Sequence, residues 1–193
     1  MTKSSGTILD GGSRPSAAGD PSADWRPTAS REMLQLRAAL LARARGFFAA
    51  RGVLEVDTPI VVNVPVTDVH IHSARVTLEE AGPVGAARAA APFFLHTSPE
   101  YAMKRLLAAG TGDIYQICHV VRALERGRLH NAEFTLIEWY RAGISLDALM
   151  GEVEALVREL LGAPPGEAVP QRGPSERLSY REAFLQVLAL DPF

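Results

Sequence analysis

The residues best able to do chemistry stand together in "VRALERGRLHNAEFTLIEWY", Val121 to Tyr140. These twenty residues hold arginines, a histidine, an asparagine, three carboxylates and an aromatic trio. On a strand, alternate side chains share a face. In "EFTLIEWY", Phe134, Leu136, Glu138 and Tyr140 therefore point one way, and Glu133, Thr135, Ile137 and Trp139 the other. An aromatic ring and a carboxylate then stand in line over about 13 Å, at about 3.3 Å per residue, with a phenol two residues further on. Arg122, ending the preceding strand, lies across the hairpin from the start of that line. A guanidinium for an anion, a flat ring for a base and a carboxylate–phenol pair for an amine suit a nucleotide at one end and an amino compound at the other. The same stretch also reads as a solvated turn with an edge-strand charge at Glu138, and the residue types leave both readings open.

The flanking elements must position this line. "DIYQICHVV" and "EFTLIEWY" read as strands from their β-branched and aromatic content. "SPEYAMKRLLAAG" reads as a short helix, with Ser98 as cap, Pro99 at the first helical position and Gly110 beyond the end. Upstream, Ser30 caps a helix through "REMLQLRAALLARARGFFAAR", with Met33, Leu36, Leu40 and Phe47 on one face and Gly52 as the stop. "GVLEVDTPIV" is β-branched and apolar, and Pro59 suits a strand end or edge. "ARVTLE" and "PFFLHT" are further strands. Ser145 caps "LDALMGEVEALVRELLG", where Leu149, Met150, Val153, Leu156 and Leu160 form an apolar stripe. "APPGEAVPQRGPSER" is a linker, and "SYREAFLQVLAL" opens on a capping box, Ser179 with Glu182. Residues 1–24, rich in Ser, Gly, Pro, Ala and Asp, are expected to be a disordered leader, with one domain over 25–193. The mixture of elements, without regular βαβ alternation, predicts an α+β domain around a central antiparallel sheet flanked by helices.

Composition bounds the function. The chain has 193 residues, 47% hydrophobic and 22% charged, with a net charge of −2. That balance argues against a protein that lives on phosphate backbones or anionic lipid. A single cysteine, Cys118, excludes an internal disulfide framework and fits a reducing cytoplasm. No apolar run approaches the roughly 20 residues of a membrane helix, so no membrane partner is expected. His70-x-His72 with one cysteine is too thin for a zinc site, and no metal-ligating residues are assigned. Neither GxxxxGK[ST] nor GxGxxG occurs.

Three segments together carry a resemblance. "VRALERGRLHNAEFTLIEWY" resembles motif 2 of the class II aminoacyl-tRNA synthetases, about residues 114–141 with its first strand. "GVLEVDTPI" resembles motif 1, about 47–60, and "TSPEYAMKRLLAAGTGDIYQIC" the segment before motif 2. "SPEY-MKRLL", "GR-HN-EFT" and "EWYR" bring the likeness to one branch, the lysyl-tRNA-synthetase-like elongation factor P–lysine ligases. The resemblance implies a class II synthetase-like catalytic domain that activates lysine or β-lysine with ATP and Mg²⁺ as an adenylate and passes it to a lysine of elongation factor P. It implies Arg122 as the catalytic contact to the α-phosphate, with Glu125, His130, Asn131 and Phe134 around the nucleotide. Ser98, Pro99 and Glu100 would hold the α-amino end, and Glu138 and Tyr140 the lysine side chain. It also implies a homodimer through motif 1.

The chain departs from the family pattern in three places. The motif 2 carboxylate comes one residue late, at Glu125, and Ala132 replaces a usual proline. The third class II motif, a glycine-rich segment followed by Glu-Arg, is absent, so the chain is expected to be the first part of a longer enzyme with an incomplete sheet. Two other functions stay open. One is a lysyl-tRNA synthetase, disfavoured because too few residues precede motif 1 for an anticodon-binding barrel, so tRNA is not the expected partner. The other is a non-catalytic dimerisation or binding module.

Overall fold

The computed structural model describes residues 27–78, 92–162 and 175–193. The expected leader and most of the expected linker lie outside the described residues. The chain divides into two units at Ala38–Ala39, and the sheets and sites below all belong to the second.

Helix α1 spans Arg31–Ala49. Ser30 caps it, its Oγ accepting the Met33 N–H at 3.3 Å. Gly52, at φ +67°, ends the turn that follows, a conformation a β-carbon disfavours. The expected apolar face is corrected at its start. Phe47 is buried, but Met33 and Leu36 are 56% and 50% exposed. Helical spacing marks a stripe without saying what covers it.

Two small sheets follow. In the first, β5 (Ile114–Val121) lies between β1 (Leu54–Glu55) and β6 (Glu133–Tyr140). β5 and β6 are antiparallel, with Gln116 opposite Glu138, Cys118 opposite Leu136 and Val120 opposite Phe134. β1 runs parallel to β5, so the sheet is mixed rather than purely antiparallel. β1 is too far from β5 in sequence to be tied to it by a hairpin, and the expectation took orientation from the β5–β6 hairpin alone. Among the described residues, β6 pairs only with β5. The second sheet sets β4 (Phe93–Leu95) between β2 (Val61–Val62) and β3 (Arg75–Val76), all antiparallel. The sheets are stitched end to end, because the N–H of Val121 donates to the carbonyl of His96 at 3.1 Å.

One face of the first sheet makes the core. Phe47, Phe48, Val53, Tyr115 and Leu156 form it, with Ile117, Ile137 and Trp139 packed against them. Phe48 stacks on Tyr115, centroids 4.3 Å apart. Each large apolar side chain fully buried here contributes roughly 1.5–3 kcal/mol. The period of two then obliges Phe134, Leu136, Glu138 and Tyr140 onto the opposite face.

Helix α3, Leu146–Leu161, is capped by Ser145, whose Oγ accepts the Ala148 N–H. Of its expected stripe, Leu156 is buried while Met150 and Val153 are 37% and 41% exposed. Glu152 anchors this helix. It accepts the Trp139 indole N–H at 3.1 Å and lies 3.4 Å from Arg141, whose guanidinium also lies 3.0 Å from Asp113. Helix α4, Tyr180–Leu188, carries the expected capping box of Ser179 and Glu182 in full. No described helix is long and apolar enough to cross a membrane.

Candidate active site

The turn into helix α2, Glu100–Ala108, brings the first group of residues to the sheet. Pro99 stands at the N-cap rather than at the first helical position, and Ser98 one residue earlier. Proline has no N–H and its fixed φ suits either place. Ser98 still accepts the Glu100 N–H at 3.2 Å. Its hydroxyl proton goes elsewhere: Ser98 Oγ donates to Glu138 Oε2 at 2.5 Å. The phenol of Tyr140 donates to the other oxygen, Oε1, at 2.6 Å. Glu138 is thus a partly buried carboxylate with both oxygens held by hydroxyls, short and charge-assisted.

The environment acts on Tyr140 in turn. Burial, then the hydrogen bond and charge of Glu138, push its phenol well above the usual tyrosine range. It remains a donor across ordinary pH. Glu100, at the start of α2, pairs with Lys104 at 2.5 Å, one helical turn on.

Arg122 sits where β5 ends. Its guanidinium lies 5.1 Å over the ring of Phe134 and 3.5 Å from Glu125. Its Nε donates to the carbonyl of Thr97 at 3.3 Å. That last bond joins the two groups, since Thr97 precedes Ser98. The late carboxylate at Glu125 therefore reaches Arg122 despite its shifted place in the sequence.

Of the ten residues singled out, eight fall into these two groups: Ser98, Pro99, Glu100, Glu138 and Tyr140 at one end, Arg122, Glu125 and Phe134 at the other. His130 and Asn131 are exposed. The backbone of His130 closes the hairpin tip by a bridge to Gly127. The structure does not bring their side chains to the Arg122–Phe134 pair.

Sequence reasoning missed several neighbours. Gln116, fully buried, accepts the Thr58 hydroxyl at 3.0 Å and lies opposite Glu138 in the sheet. Cys118 lies on the same strand face as Gln116, and burial raises its thiol pKa. The alternation that placed Glu138 also places both, once the register is known. Lys104 was legible as the partner of Glu100 from its spacing of four. A pocket of about 260 Å³ opens beside Ser98, Pro99 and Glu100, walled by Val62, Val64 and Val66.

Against known proteins, the family of tRNA synthetases class II (D, K and N) matches residues 19–191. Among curated relatives, the "Elongation factor P--(R)-beta-lysine ligase" of Vibrio vulnificus is 48% identical over 88% of this chain and 49% of its own length. The protein of the same name from Erwinia tasmaniensis is 47% identical over 88% and 48%. That from Pasteurella multocida is 43% identical over the same shares. The chain spans about half the length of these curated relatives. The match of one family across nearly the whole chain settles its kinship: it belongs to the class II tRNA synthetases of the D, K and N type.

Proposed function

We propose that this chain carries the amino-acid activation site of an ATP-dependent ligase. A carboxylate oxygen of lysine or β-lysine attacks the α-phosphate of ATP and pyrophosphate leaves; the amine of a lysine of elongation factor P then attacks the adenylate's carbonyl carbon, forming an amide and releasing AMP. The observation that carries this reading is the two-ended face: Glu138 held by Ser98 and Tyr140 hydroxyls at one end, Arg122 beside Phe134 at the other. The name of the relatives supplies the substrate and the acceptor.

In this reading Arg122 meets the α-phosphate and stabilises charge that develops there. Phe134 stacks on adenine, and Glu125, His130 and Asn131 border the nucleotide. Ser98, Pro99 and Glu100 hold the amino end, while Glu138 and Tyr140 hold the side-chain amine. Among the described residues, no three His, Cys, Asp or Glu side chains converge as a metal cluster. In this reading Mg²⁺ arrives on the nucleotide, as it is commonly bound by one or two carboxylates with phosphate oxygens. When bound it offsets phosphate charge. The working form we assign is a cytoplasmic homodimer paired through the Phe47–Ile60 segment.

The test is amino-acid-dependent exchange of labelled pyrophosphate into ATP by residues 1–193. Exchange with lysine or β-lysine above the control without amino acid is the expected result. A folded chain that neither exchanges nor binds ATP and amine overturns the proposal and leaves a pairing module. If exchange occurs but intact mass moves on tRNA and not on elongation factor P, the acceptor is wrong.

A further inference from the structure

His96 lies outside every role assigned so far. It follows β4, is 5% exposed, and lines the same pocket as Asn63, Ser98, Glu100 and Arg105. Its Nε2 is 2.9 Å from the carbonyl of His119 on β5. A carbonyl only accepts, so Nε2 carries a proton, and in the neutral ring Nδ1 presents a bare lone pair. Nδ1 is buried and has no hydrogen-bond partner among the described residues. Buried polar atoms are nearly always paired, and an orphan on a residue that lines a pocket calls for a donor the chain itself does not supply.

The chemistry around the orphan defines that donor. Glu100, on the same pocket wall, is engaged by Lys104 through Oε1. A neutral imidazole acceptor and a carboxylate on residues lining one pocket suit a group with several N–H bonds and a positive charge. The valines of the same pocket suit methylenes. A primary ammonium on an aliphatic chain meets both demands.

We infer that His96 is a further substrate-binding residue, its Nδ1 accepting one N–H of the substrate's ammonium group beside Glu100. This rests on the amino-acid activation proposed above, and it adds a contact that residue types alone did not suggest.

The test is ¹⁵N NMR of the histidine rings in the 193-residue chain, titrated with lysine and with β-lysine. His96→Gln identifies the His96 signals. The Nδ1 resonance of His96 is expected to move with amine while Nε2 stays. Calorimetry should find His96→Leu about ten- to a hundredfold weaker for the amine at unchanged ATP affinity. His96→Gln keeps a donor and an acceptor and should recover most of the loss. If the amine binds and Nδ1 does not move, Nδ1 holds water only and the inference is overturned, while the site reading stands. If neither amine binds the folded wild-type chain, the site reading fails and this inference fails with it. The NMR result decides even where His96→Leu does not fold.

Discussion

At one end of the β6 face, Glu138 is gripped by two hydroxyls at 2.5 and 2.6 Å. At the other, Arg122 meets Glu125 only at 3.5 Å and shares a ring at 5.1 Å. The first end is partly buried and tied to a helix start; the second opens into a hairpin whose tip residues are exposed. A pre-formed acceptor loses little freedom when its amine arrives. Arg122, held by the Thr97 carbonyl at 3.3 Å and by Glu125 at 3.5 Å, has longer contacts. In the function proposed above, the amine end is built before binding and the nucleotide end is completed by it.

Six substitutions and one condition test that contrast. Arg122→Ala should lower pyrophosphate exchange by about 10²–10³-fold, the scale of losing one donor to developing charge, with amine affinity nearly unchanged by calorimetry. Equal damage to both ligands would break the separation of the two ends. Glu138→Gln should weaken amine binding by about a hundredfold, since it removes the charge and one strong acceptor, and leave ATP affinity intact. Ser98→Ala keeps the carboxylate but loses one hydroxyl that orients it, and about tenfold weaker amine binding is expected.

Alkaline pH should lower stability through two phenols, one at the pre-built end and one in the core. Tyr140 is raised by burial and by Glu138, and Tyr115, buried in the core and bonded to Glu55, is pushed up to about 12. Both hold their protons more tightly folded than unfolded. The stability this contributes is complete below about pH 10, the unfolded value, and is lost as pH climbs through the folded values. Thermal melts from pH 9 to 12 should fall by a few degrees, and Tyr140→Phe should flatten part of the fall. A flat profile would mean these phenols ionise as freely as in the open chain. His130→Ala and Asn131→Ala should have the smallest effect, about threefold or less on ATP affinity. A larger loss would mean the hairpin tip closes on the nucleotide.

Much of this was legible in the residues. Alternation placed Glu138 and Tyr140 together because a strand has only two faces. Ser145 and Ser179 announced their helices because capping is local chemistry. What escaped notice depended on distant chain. The bond from Ser98 to Glu138 spans forty positions, and the lone pair of His96 is an orphan only because His119 takes the other nitrogen. The parallel pairing of β1 has no local turn to betray it. Met33 and Leu36 carried helical spacing, but periodicity names a face and not its partner.

The core side of β6 has a consequence for how such a site can change. Ile137 and Trp139 fix the strand's register from beneath, with Glu152 holding the indole. Their neighbours Glu138 and Tyr140 lie on the other face, bonded to each other and to Ser98. New specificities can therefore be written at alternate positions of β6 while the scaffold keeps its shape, so that inheritance of the fold and drift of the substrate proceed on opposite sides of one strand.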